Sequence, residues 1–292
     1  MSEALAPHFG MTYLDGGYFY NFHNDAPNEQ ALIHTIENGK AAGAHSWLVP
    51  TVADNCDAAA LHEAGFAPLP AYVESALVIE KTLESTLRNT LGSRRLLDFQ
   101  RITRKAETIF EVEFHLAPSL ISNPHLIDLA GDLHSENAKK YGHPFNMYDA
   151  VALRRILDSK LGKSLTIGFV RNKANQEPVQ VILALWDFER KQLHYLAQGL
   201  RHDHVPGSIN LYTASYLWLY RFAETLGAQT IFLSRGMHEA KRRLGANTWA
   251  LLNNWVYSQV PDTKQVIATA QTKAEQIIAG PFRQFCEKGT TP

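Results

Sequence analysis

The sequence is poor in cysteine: Cys56 and Cys286 are the only two in 292 residues. Two thiols so far apart supply neither a disulfide framework nor a metal-binding spacing, and the usage is that of a reducing, cytoplasmic compartment. An excess of charge of either sign is missing too. Lys and Arg number 28 against 29 Asp and Glu, for a formal net charge of −1. No global field therefore draws the chain to DNA or to an anionic membrane, and a polyanionic partner would have to use a local patch. No apolar run approaches the roughly 20 residues that cross a bilayer. The opening stretch MSEALAPHFGMTYLDGGYF has an early acid and no apolar h-region, unlike a signal peptide. The 13 histidines are scattered, with no HExxH or similar pair, so no metal site is expected.

What the chain does have is apolar content, 45% of its residues, enough for one large or two ordinary domains. Its most organised stretch runs from Leu193 to Gly245. LHYLAQGL has the composition of a strand. Pro206 and Gly207 break it, and Ser208 or Asn210 caps a helix whose apolar positions include Leu211, Leu217, Tyr220 and Ala223. Gly227 ends that helix, Thr230 to Leu233 form a short buried run, and the chain turns at Ser234, Arg235 and Gly236 into a basic helix from His238 to Leu244. A strand feeding a glycine-bearing loop into a helix start offers free backbone N–H groups and a positive helix end to an anionic group.

Upstream, TYLDGGYFYNF is expected to turn as a hairpin at Asp15 to Gly17. A helix opens at Asn28 or Asp25 and closes at Gly43. HSWLVPTV is a strand, DNCDAAALHEAG a helix, and PAYVESALVIE a further strand. This order of helix, glycine, strand, helix, glycine, strand returns in the C-terminal half as TLGA, QTIFLS, HEAKRRLGA and TWALLNNWVY, which points to two related domains. Between them, Thr82 to Ala106 interleaves Arg88, Arg94, Arg95, Arg101, Arg104 and Lys105 with leucines, an amphipathic helix with one basic face, or two helices broken at Gly92. Such a face is either solvated surface or the wall of an anion-binding cleft. IFEVEFHL is a strand, and Pro118 to Lys140 and Met147 to Leu161 are helices. SLTIGFVRN, PVQVILALWDF and QLHYLAQGL then form three consecutive antiparallel strands. Asp262 to Phe285 reads as a helix broken at Gly280 and Pro281, which docks on its own domain or on a second copy in a homodimer.

From Thr82 onward this order resembles the GNAT acyltransferase fold, and in particular the GNAT-like domain of the Fem-type transferases and relatives grouped with peptidoglycan biosynthesis. The text that carries the resemblance is LRNTLGSRRLLDFQRITRKAE, VQVILALWDFERKQLHYLAQGL and SRGMHEAKRRLGA, the last with Gly236, Lys241 and Gly245 at the places of a G…K…G signature. Pro27 to Ile79 resembles the second half of another such unit. The implied architecture is α/β (α+β), a tandem GNAT-like fold of mixed, mostly antiparallel sheets flanked by helices. An abbreviated N-terminal copy would span 1–81, basic connecting helices 82–110, and a C-terminal copy 111–292.

The resemblance implies an acyltransferase that moves an acyl group to a small-molecule amine acceptor held in the cleft between the two domains. The donor would be an acyl-CoA or, in the Fem-type branch, an aminoacyl-tRNA, each a co-substrate rather than a tightly bound cofactor. Donor-binding positions are Leu196, Ala197, Gln198 and Gly199 on the strand, then His204, Val205, Pro206, Gly207, Ser208 and Ile209 in the loop. The loop has one glycine where the family's usual loop has two, which suits a donor other than CoA. Direct attack needs no enzyme nucleophile, only positioning, a path for the amine proton and a donor to the oxyanion. His194, His202, His204, Tyr195 and Asp187 are the candidates for those roles, histidine having the right ordinary pKa for a base. Lys241, Arg235 and Glu239, with Tyr148 and Trp186, are the candidate acceptor-binding residues; a lysine in a cleft holds phosphate or carboxylate as a point charge. A ligand-binding protein without catalysis is the remaining alternative.

Overall fold

The computed structural model describes residues 12–14, 26–54, 56–142, 146–235, 237–260 and 263–289. The chain forms two compact units: Met1–Glu74 with Trp249–Pro292, and Ser75–Thr248.

The first unit begins with β1 (Thr12–Leu14), which pairs parallel to β2 (Ser46–Ala53). The remainder of the expected N-terminal hairpin lies outside the described residues. Helix α1 (Glu29–Ala41) starts at Asn28, whose side chain accepts from Ala31 N at 2.9 Å. Its Gly39 packs on the fully buried Trp47 so closely that a Cβ there would sit 2.0 Å from the indole Nε1. After β2 come the short helix α2 (Ala59–Glu63) and β3 (Ala67–Val78), with Gly65 at φ +81° making the turn between them. From Ser75, β3 belongs to the second unit.

The second unit opens with α3 (Leu83–Glu107), entered through a reciprocal Thr82–Ser85 capping box and kinked at Gly92, whose φ of 74° no L-residue adopts without strain. Leu83, Leu87, Leu91, Leu96 and Phe99 are buried, and the arginines between them face solvent. Strand β4 (Phe110–Leu116) follows, then α4 (Ala117–Ser122), α5 (His125–Lys140) and α6 (Ala150–Asp158). One helix expected from Pro118 to Lys140 is two, because Pro124 forces Asn123 out of helical geometry. Asp149 caps α6 and accepts from Ala152 N at 2.7 Å. The three antiparallel strands expected next are β5 (Leu165–Asn172), β6 (Pro178–Asp187) and β7 (Gln192–Leu200). Then come α7 (Leu211–Thr225), β8 (Thr230–Arg235) and α8 (His238–Arg243). The strand order is β8-β7-β6-β5-β4. Strand β6 lies mid-sheet with almost every residue buried, which is why VQVILALW reads as a continuous apolar run.

The chain then re-enters the first unit as β9 (Thr248–Ser258), giving the order β1-β2-β9-β3, and closes with α9 (Thr263–Ala274), a π-helical turn at Glu275–Ala279 and α10 (Gly280–Gly289). Trp47, Val49, Val52, Leu61 and Trp255 form one cluster of this unit; Val73, Leu251, Phe282 and Phe285 form another. Among the described residues, no helix is long and apolar enough to cross a membrane.

Candidate active site

The site is set by the way β7 meets its two neighbours. Toward β6 the ladder is complete from Asp187↔Gln192 to Gln180↔Leu200, except that Ala184 faces Tyr195 while Leu183 faces Ala197. Leu196 is thus an extra residue, a β-bulge of the kind that bends a strand and re-aims its side chains. Toward β8 the parallel pairing covers only Gln192↔Thr230, Leu193↔Ile231 and His194↔Phe232. Beyond that third rung, among the described residues, no ladder joins Tyr195–Leu200 to Leu233–Arg235. Sequence reasoning expected Leu196 to Gly199 at such an edge, and all four lie on the parted part of β7.

His194 sits at the fork. Its ring stacks on Phe232 with centroids 4.4 Å apart and planes 9° apart, closing the last rung. Tyr195 follows at the opening, 5.4 Å from the Tyr216 ring of α7. The Tyr216 hydroxyl lies 3.2 Å from that of Tyr212. Burial holds the Tyr195 and Tyr216 phenols far above the usual tyrosine range, so both are neutral hydroxyls at any physiological pH. They can donate a hydrogen bond but not serve as bases.

Gln198 is fixed on the same α7 side. Its Oε1 accepts from Gln180 Nε2 at 2.7 Å and from Ser215 Oγ at 3.0 Å. With the oxygen so occupied, its amide N–H groups, which have no partner among the described residues, remain to serve a ligand. The neighbouring Gly199 faces α5, where a Cβ would lie 2.6 Å from Leu133 O and 2.7 Å from His134 Cα, so only glycine lets the helix lie on the strand. Asn146 ties the residues before α6 to α5, accepting from Tyr148 N at 2.9 Å and donating to Ser135 Oγ at 2.7 Å. Tyr148 packs edge-on to His134 with centroids 5.4 Å apart.

The loop after β7 contains a single 3₁₀ turn at His202–His204. Lys105 from α3 donates to Ser208 O at 2.9 Å, and Asn210 caps α7 by accepting from Thr213 N at 3.0 Å. Arg201 grips Glu136 through two bonds of 2.6 and 2.7 Å, which hold the Glu136 carboxyl below its usual range. His204 Nδ1 lies 3.1 Å from Glu177 Oε1. His202 accepts or donates to Tyr141 OH at 3.2 Å, and its pKa is lowered by partial burial and the charge of Lys140.

Five other candidates sit elsewhere. Asp187 is at the β6–β7 turn, the end of the hairpin away from the opening. It accepts from the N–H groups of Glu189 and Arg190 and from Arg190 Nη1, and these bonds outweigh burial to keep its carboxyl low. Trp186 is next to it, opposite Leu193. Lys241 is only 4% exposed, with Nζ donating to Ser234 O at 2.7 Å and Arg235 O at 3.0 Å, so its ammonium is engaged by the end of β8. Glu239 pairs with Arg242 at 3.0 Å, and Arg235 ends β8. Gly236 of the G…K…G pattern lies outside the described residues. Sequence reasoning missed Gln180, Ser215 and Tyr216. Of these, Gln180 leaves a trace in the sequence, as a lone amide inside the apolar run of β6.

Three antiparallel strands, a bulge in the third, its parting from a parallel neighbour and a loop into a helix define a GNAT-like fold. Solved structures that share it include L-PGS from Bacillus licheniformis, at 10% identity and a TM-score of 0.60 over 84% of this chain and 77% of that one. The C-terminal DUF2156 domain of a putative lysylphosphatidylglycerol synthetase from Agrobacterium fabrum gives 10% identity and 0.62 over 91% and 83%. FemX gives 11% and 0.60 over 89% and 83%. At such identities the likeness is one of fold. No protein-family model and no curated protein sequence matches the chain.

Proposed function

We propose that the protein is an N-acyltransferase in which an acyl donor lies along the free edge of β7 and an amine attacks its carbonyl directly. The observation behind this is the opening beyond His194↔Phe232, where backbone groups of Tyr195–Leu200 are available to the donor's chain. The amine nitrogen bonds to the carbonyl carbon, the tetrahedral oxyanion collapses, and the C–S or C–O bond to the leaving group breaks. That group takes up the proton the amine gives off. Gln198 N–H and the Tyr195 hydroxyl are suited to the oxyanion or the leaving atom. His202, kept neutral by its lowered pKa, suits the proton path better than His204, which faces Glu177.

Two features favour an aminoacyl-tRNA over an acyl-CoA donor. Arg94, Arg95 and Arg104 are exposed on α3 and carry no ion pair among the described residues, and Asn210 already occupies the N-terminus of α7. The neighbours with the same fold include FemX and a putative lysylphosphatidylglycerol synthetase. Assays with acyl-CoA and charged-tRNA donors test this. Product is expected from charged tRNA, and log affinity is expected to fall against log salt with a slope of about −2 to −3 if three phosphates are neutralised. Turnover of acyl-CoA alone would reverse the donor assignment. No product from either, with the protein folded, would leave a non-catalytic ligand-binding protein.

A further inference from the structure

The first unit contains a cavity of about 850 Å³ that none of the transfer chemistry uses. Its floor is one face of β9, where Leu251, Asn253 and Trp255 alternate. Leu251 is covered by Phe282 and Phe285, and Trp255 is packed with Trp47 and Leu61. Asn253 lies between these two clusters and is 8% exposed, yet its side-chain amide makes no hydrogen bond among the described residues. The polar atoms of Asn253 are not among the side-chain atoms sealed from solvent without a partner, so its amide is open to the cavity and can donate to or accept from an occupant. The cavity is within the size range of small-molecule sites and far larger than one water requires.

One wall is the π-helical turn, in which Gly280 N bonds to Glu275 O across the wider ring. Such turns recur at functional sites. This one sets Glu275 against the cavity, where Arg283 neutralises it. Asp54 and Asp57 line it too, and neither has an ion pair among the described residues. The lining thus combines an apolar floor, one amide seeking partners and an excess of negative charge.

We propose that this pocket binds a small molecule with an ammonium group on an apolar body, the body lying between Leu251 and Trp255 and a polar atom meeting Asn253. The proposal is independent of the transfer reaction: it concerns binding by the first unit whatever the second unit does.

Calorimetric titration of the full chain with phenethylamine, 3-phenylpropanol and 3-phenylpropionate tests it. The expected order is amine, alcohol, acid, with the amine about tenfold or more tighter than the acid. Asp57→Asn keeps an acceptor for Ala59 N, now held at 3.0 Å, and removes only the charge. It is expected to weaken the amine several-fold and leave the alcohol unchanged. Asn253→Leu is expected to weaken amine and alcohol alike by about tenfold, the loss of one good hydrogen bond, while the melting temperature holds or rises. Binding of the acid as tightly as the amine, no binding of any of the three, or unchanged amine affinity in either variant would overturn the proposal. Should Asn253→Leu fail to fold, the Asp57→Asn result and the ligand order decide.

Discussion

Deletion of Leu196 is expected to leave a folded protein whose transfer activity falls by about 100-fold or more, the effect of misplacing a reacting group by an ångström. The register explains why. Tyr195 faces Ala184 and Ala197 faces Leu183, so removing the intervening residue makes consecutive residues of β7 face consecutive residues of β6. Every other rung is preserved, no apolar side chain is turned to the wrong face, and the ladder becomes continuous. Stability should therefore be unchanged or slightly higher. What disappears is the bend that carries Tyr195–Leu200 away from Leu233–Arg235. Circular dichroism with thermal melting and a transfer assay read the two effects separately. A deletion variant that stays folded and fully active would detach the bulge from function.

Substitution of Lys241 by Met is expected to destabilise the protein by about 2–3 kcal/mol, the scale for losing the charge-assisted bonds of a buried ammonium to partly buried carbonyls. Methionine fills the space of the stem but donates nothing to Ser234 O and Arg235 O. Those carbonyls belong to a turn already in unfavourable geometry, with Ser234 at φ 66° and Met237 at φ 50°. The ammonium holds that turn closed against the strain. Urea unfolding checks the cost. Unchanged stability with a raised KM for the acceptor would instead give Lys241 the ligand-binding role its place in the G…K…G pattern implied.

Much of the architecture could be read from the sequence because its signals are local. Of the caps the sequence offered, Asn28 rather than Asp25 and Asn210 rather than Ser208 are used, the basic helix is kinked at Gly92 as one of its two readings had it, and the turn residues between SLTIGFVRN, PVQVILALWDF and QLHYLAQGL mark off three strands in order. Less visible was anything that depends on distant residues meeting. The Leu196 bulge is a difference in register between two strands, and neither strand alone records it. Strand β9 pairs with β2, some 200 residues earlier in the chain, as in Thr51 N to Asn254 Oδ1 at 3.2 Å, and no local pattern announces that return. The engagement of Lys241 likewise follows from the left-handed turn at Ser234, a conformation that serine seldom adopts. Gln198 was named for its backbone, whereas its side chain is fixed by Gln180 and Ser215 from two other elements.

The most direct test of the central claim is amide hydrogen exchange of the intact protein with and without donor. If the donor's chain lies in the opening, the amides of Leu196–Gly199 and Leu233–Arg235 should slow on its addition, while those of Gln192–His194, already paired, stay as they were. Exchange unchanged across both segments at a donor concentration that supports full turnover would contradict the account.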